Sequence, residues 1–159
     1  MDQVGNGPAE GGRAGTGATG ADDQARARMR DARVARLATA AENGMPHLVP
    51  VTFALDGDLI VTAIDHKPKT TTRLRRIRNI QANPKVCVLV DHYDDDWTHL
   101  WWVRADGLAS VVEREEERAA ALAPLVAKYA QYTDRVPEGP VIVIQVTRYA
   151  SWSYSGGLQ

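Results

Sequence analysis

Between His66 and Asp91 the chain reads HKPKTTTRLRRIRNIQANPKVCVLVD. From His66 to Val90 it holds seven Lys or Arg residues and no Asp or Glu, in a protein whose net charge is only -1. The chemistry such a stretch can do is anion binding. Lys67 and Lys69 place point charges in a loop. Thr70, Thr71 or Thr72 can cap the helix that follows, a hydroxyl taking one free first-turn N–H. The remaining N–H groups and the positive end of the helix dipole favour a phosphate or carboxylate. Leu74, Ile77 and Ile80 recur on one side and should pack inward, with Arg75 and Asn79 opposite and Arg73, Arg76 and Arg78 on the flanks. A solvated basic face on a surface helix would have the same composition. Duplex nucleic acid is a poorer partner, because the basic patch is confined to one loop and one short helix of a slightly acidic chain.

Other catalytic groups are scarce. Cys87 is the sole cysteine, so neither a disulfide framework nor a Cys-based zinc site is available. The four histidines show no HExxH spacing, and no nucleophile–base pair stands out. The acidic loop Asp94-Asp95-Asp96 lacks the glycine and distal glutamate of a calcium loop and reads as solvated. Tyr93, His99 and His47 are conceivable proton donors, each with a plainer structural reading.

The elements that position these residues follow from patterning. The Gly-rich stretch from Met1 to about Ala21 has almost nothing large and apolar to bury and reads as a disordered tail. A single domain over 22–159 is expected. A helix capped by Asp22 or Asp23 and running to Ala32 is thinly apolar and expected on the outside. Asn43-Gly44 between the apolar runs Val34–Ala41 and Pro46–Leu55 predicts a hairpin. Pro50 cannot donate to a ladder, so it marks an edge, a bulge or a break. Leu59–Ile64 follows the Asp56-Gly57 turn, and Lys85–Asp91 is expected buried on both faces. Trp97–Ala105, with three of the four tryptophans, is expected covered on both sides. Asp106-Gly107 predicts a turn into Leu108–Val112. Arg114–Tyr132 is helical with Pro124 splitting it, and Leu122, Leu125, Val126 and Tyr129 form its core stripe. Val141–Thr147 and Tyr149–Tyr154 complete six or seven antiparallel strands with two or three peripheral helices, a mainly β (α+β) split or closed barrel. No transmembrane-length apolar run and no signal-peptide core are present, so a cytoplasmic protein without a membrane partner is expected.

The order Arg36-Leu37-Ala38-Thr39, Asn43-Gly44-x-Pro46, Pro50-Val51-x-Phe53, Lys67-x-Lys69, Arg78-Asn79-Ile80, Asn83-Pro84-x-Val86, Leu89-Val90-Asp91 and Gly107-x-Ala109 resembles the split β-barrel flavin-binding superfamily, the pyridoxamine-phosphate-oxidase-like group. Asp95-Asp96-Trp97 followed by Leu100-Trp101-Trp102-Val103-Arg104 resembles its actinobacterial branch of deazaflavin (coenzyme F-420) dependent oxidoreductases. The resemblance spans about Gln24 to Tyr154. It implies a homodimer with a flavin-type ring at each interface. By position, Pro50, Val51 and Thr52 would lie against the ring, and Trp97 would approach from the partner subunit. Lys69, Thr70 and the Arg75/Arg76 pair would meet the phosphate and tail. The basic loop is longer than the family spacing before Asn83-Pro84, which leaves the main phosphate role to either Lys67 and Lys69 or Arg75 and Arg76.

The implied activity is hydride transfer between the deazaflavin and a small, electron-poor organic substrate, with the cofactor carrying the chemistry. FMN ends in one phosphate, whereas F-420 adds a phosphodiester and a glutamate chain, and the run of basic residues suits the longer anion. An FMN-dependent oxidase or reductase and a non-catalytic deazaflavin carrier are the alternatives.

Overall fold

A computed structural model describes residues 19–64 and 74–158. Helix α1 (Thr19–Asp31) leads into strands β1 (Ala35–Ala40) and β2 (Pro46–Val51). Gly44 turns this hairpin at φ 85°, in the left-handed region that a Cβ would strain. Strands β3 (Ala54–Asp56) and β4 (Leu59–Ala63), helix α2 (Arg75–Ala82) and strand β5 (Lys85–His92) follow. The chain continues through β6 (Trp101–Val112), α3 (Glu115–Lys128), α4 (Ala130–Asp134), β7 (Val141–Ser153) and β8 (Gly157–Leu158).

Every strand pair is antiparallel, and seven strands run in the order β2-β1-β5-β6-β7-β4-β3, with β8 paired to β7 beside that path. The two ends of the path, β2 and β3, are consecutive in sequence, with only Thr52 and Phe53 between them. The three steps from Val51 to Ala54 reach roughly 10–11 Å at most. The sheet must therefore curl until its edges meet, and Thr52–Phe53 is the seam of the resulting split half-barrel. Pro50 lies on the edge strand β2, where its missing N–H costs the ladder nothing.

The barrel interior is filled by Leu37, Phe53, Ile60, Val88, Val90, Val103, Ile142 and Ile144, all at most 1% exposed. Helix α1 contributes Met29 and Ala25 to this core, so it plugs the barrel where an outer helix was expected. A second cluster lies on the outer face, where Leu122, Leu125 and Tyr129 of the α3 segment cover Ala54, Val61, Ala63 and Val141.

Several expected boundaries shift. The run Pro46–Leu55 is two strands, because the chain changes sheet edge at the seam. Trp97–His99 forms a 3-10 turn, capped by Asp96 accepting from the Thr98 N–H, and the strand begins only at Trp101. Asp106-Gly107 is a bulge inside the long strand β6, not a turn. A Cβ on Gly107 would stand 2.5 Å from the Gln145 carbonyl oxygen, so the glycine serves close backbone approach. The two expected C-terminal strands are one, β7. Pro124 sits within α3 without ending it; the helices part at Tyr129, whose extended backbone sends the chain into α4. Strand β5 buries Val86, Val88 and Val90 on one face and only half-covers Cys87 and Leu89 on the other.

Candidate functional site

The seam leaves backbone groups without ladder partners, and buried ones must find others. Side chains supply them. Thr62 Oγ1 donates to the Thr52 carbonyl at 2.7 Å. The Phe53 N–H donates to Tyr129 Oη at 3.1 Å, and the Tyr129 hydroxyl proton is shared between the carbonyls of Arg33 at 2.9 Å and Phe53 at 3.0 Å. Burial pushes the Tyr129 phenol above its ordinary pKa, which keeps it a donor. Thr52 Oγ1 and the Tyr132 hydroxyl lie 2.7 Å apart. The break in the sheet is thus held by one strand neighbour and two tyrosines of the helical hairpin.

On one side of the seam is a groove of about 210 Å³ lined by Pro50, Val51, Thr52, Thr62, Ala63 and Arg76, with Val34 at its rim. The three residues expected against the ring are therefore together, and Arg76 joins them from the first turn of α2. The cap position of that turn is Leu74, with no side-chain cap among the described residues, and the turn holds no acidic residue. Arg75 is exposed and Arg76 half-buried. The threonines expected to cap this helix lie outside the described residues, as do Lys67 and Lys69, with Thr70 among those threonines.

Ile77 and Ile80 pack inward as expected, but Asn79 is buried with them rather than facing solvent. Its Nδ2 donates to Thr39 Oγ1 at 3.0 Å, which satisfies the amide and pins α2 to β1. Nearby His47 is held below its ordinary pKa, by burial first and then by Arg75 and Arg76, and its Nδ1 is buried without a hydrogen-bond partner. A neutral imidazole leaves the local positive charge to the two arginines. An uncapped helix start, two arginines and an apolar strand end fit a ring-bearing phosphate in chemical type.

Trp97 is 63% exposed and does not line the groove of its own chain. Two carboxylates of the acidic loop are engaged locally. Asp94 accepts from the Asp96 N–H at 2.8 Å and lies 3.2 Å from His99 Nδ1, while Asp96 holds Thr98. Among the described residues no cluster of His, Cys, Asp or Glu could hold a metal. No helix there is long and apolar enough to cross a membrane.

Sequence reasoning missed a second cavity. It measures about 850 Å³ and is lined by Arg33, Thr52, Lys128, Tyr129, Tyr132 and Arg135, together with Ala130 and Gln131. Thr52 lines both cavities. Arg33 Nη1 donates to the Lys128 carbonyl at 3.0 Å, which ties the α1–β1 connection to the α3–α4 junction. Lys128 Nζ donates to the Ala32 carbonyl and lies 4.2 Å from the Phe53 ring centre. A paired-tyrosine spacing at a helix end was the one available signal, and it reads equally as core.

Solved structures similar to this chain include the conserved hypothetical protein Rv2991 from Mycobacterium tuberculosis, with 20% identity, a TM-score of 0.68, and 87% of this chain and 88% of that one covered. A FAD-binding protein from Mesorhizobium loti has 21% identity and a TM-score of 0.59, with coverage of 82% and 90%. The heme storage protein HutZ from Vibrio cholerae has 18% identity and a TM-score of 0.63, with coverage of 85% and 93%. At such identities the likeness is one of fold. No curated protein matches in sequence. The family model for pyridoxamine 5'-phosphate oxidase matches residues 21–153, nearly the whole of the described barrel, and the chain belongs to that family.

Proposed function

We propose that this protein is an oxidoreductase that binds coenzyme F-420 at a homodimer interface and moves a hydride between it and a small, electron-poor organic substrate. The observation that carries the reading is the groove at the barrel seam. It joins Pro50, Val51 and Thr52 to Arg76 at an uncapped helix start. When bound, the deazaflavin supplies the hydride chemistry. The chain's own residues have narrower tasks. Pro50 and Val51 offer an apolar surface to a flat ring. Thr52 fixes the seam beside it. Arg75 and Arg76 take the phosphate, and Lys67, Lys69 and Thr70 extend the positive track along the tail. Trp97, exposed in the single chain, is available to reach a partner's groove.

FMN is the second reading. A single phosphate needs no more than the two arginines and helix start already at the groove. Titration of the full-length protein with F-420 and with FMN, followed by cofactor fluorescence, separates them. F-420 is expected to bind tightly and FMN weakly. Replacing either Arg75 or Arg76 by Gln is expected to weaken binding about 10–100-fold, each charged hydrogen bond being worth about 1.5–3 kcal/mol. Tight FMN binding alone moves the protein to the oxidase-like alternative, and binding of neither overturns the proposal. Sedimentation of the loaded protein reads the dimer. A carrier would bind F-420 yet reduce no quinone, enone or nitroaromatic.

A further inference from the structure

We propose that the cavity between Arg33, the seam and the α3–α4 junction is a recognition site for a flat, conjugated carboxylate, the substrate of the reaction proposed above. The proposal deepens that reading and rests on it for the reaction, but not for the binding.

The cavity's lining carries three basic side chains, Arg33, Lys128 and Arg135, and no carboxylate. Arg33 and Arg135 are exposed, and among the described residues neither forms an ion pair with an acid. Asp31, outside the lining, acts on Lys128, which leaves Arg33 and Arg135 without a paired acid among the described residues; neighbouring cations repel one another, and an organic anion relieves that repulsion. The guanidinium fork suits a carboxylate in particular. Arg33 is braced for this, since one donor is engaged with the Lys128 carbonyl and its guanidinium lies 5.8 Å from the Tyr129 ring centre.

The remaining walls set the shape. Tyr129 and Tyr132 meet edge to face at 5.6 Å, a rigid aromatic surface. A saturated polar acid would waste that surface, whereas a conjugated acid would use it. The link to the ring groove is Thr52, which lines both cavities and is fixed by Tyr132 and Thr62. A ligand seated here therefore adjoins the place proposed for the cofactor ring.

Lys128 supports the assignment. Burial and then Arg33 push its ammonium down to about 8. A bound carboxylate would oppose that shift and favour the charged ammonium.

The test is calorimetric titration of the cofactor-free protein with cinnamate and with cinnamyl alcohol, its uncharged counterpart. Cinnamate is expected to bind at least about tenfold more tightly than the alcohol. Arg135→Gln should weaken cinnamate about tenfold and leave F-420 affinity unchanged, with the same melting temperature. Protein loaded with F-420 should bind cinnamate as well as or better than the free protein. Equal binding of acid and alcohol, or of neither, overturns the proposal. So does exclusion of cinnamate by bound F-420, which would assign the cavity to the cofactor's own carboxylate tail. Cinnamate binding in a protein that takes no F-420 would uphold the acid site while the cofactor assignment falls.

Discussion

Replacing Tyr129 by Phe removes one oxygen from the seam and leaves three backbone groups to be satisfied. In the native fold that oxygen accepts from the buried Phe53 N–H and shares its proton with the carbonyls of Phe53 and Arg33. The aromatic packing survives the substitution, since Phe retains the ring that covers Ala54 and Val141. What is lost is a donor's partner inside a buried turn. An unsatisfied buried N–H costs about 1–3 kcal/mol, and the lost shared proton adds about 1 kcal/mol. The expected destabilisation is about 2–4 kcal/mol, or roughly 5–15 °C in Tm for a chain of this size. Urea unfolding followed by tryptophan fluorescence measures it, with an unchanged m-value required for the comparison. Tyr132→Phe is the internal reference. Its hydroxyl meets the half-buried Thr52 side chain at the seam, where water can substitute, so its cost should be the smaller, about 0.5–1.5 kcal/mol. A Tyr129→Phe protein within about 0.5 kcal/mol of wild type, or no worse than Tyr132→Phe, would refute the view that tyrosines carry the seam's hydrogen bonding.

Gly107→Ala should destabilise by about 1–3 kcal/mol or more, because the new Cβ would overlap the Gln145 carbonyl and the Ile144 side chain, and thermal unfolding reads the loss. The bidentate Arg26–Asp58 pair holds the Asp58 carboxyl below its ordinary value of 3.8. Its contribution is present above that value and lost as pH falls through the lower, folded one, so the stability gap between wild type and Asp58→Asn should close in strong acid. For Lys128 the sign is reversed. Its folded pKa of about 8 lies below the ordinary 10.5, so the fold carries a penalty at neutral pH that fades as pH rises between those values. Unfolding at a series of pH values should show wild type gaining on Lys128→Met across that window, and cinnamate affinity should start to fall above about pH 8.

Local punctuation was legible in the sequence. Asn43-Gly44 marked a hairpin, and Gly44 takes the left-handed backbone that hairpin needs. Leu74, Ile77 and Ile80 marked the inward face of α2, and Pro50 an edge. The misreadings have one physical origin, which is that tertiary contacts reuse local signals. Asp106-Gly107 has the composition of a turn, but the glycine is needed because another strand's backbone presses on it. Asn79 reads as a solvent residue until Thr39, distant in sequence, supplies its partner. That Pro50, Val51 and Thr52 line one groove follows from their being contiguous. The second cavity was not legible, because Arg33 and the Tyr129–Arg135 segment come together only after the helical hairpin closes over the seam.

The strand order also dictates when the molecule can become whole. Strand β4 is made in the first half of synthesis, yet its inner partner β7 is nearly the last element to be made. Until then Ile60 and Val61 sit in a short hairpin with one bare edge, and closing the long intervening loop is an entropic, slow step. During that interval the hairpin is as ready to pair with another nascent copy as with its own distant strand. Chains that stop before Val141 never acquire the partner. Yield on expression should therefore depend on the speed of translation and on chaperone supply more than on the stability of the finished barrel.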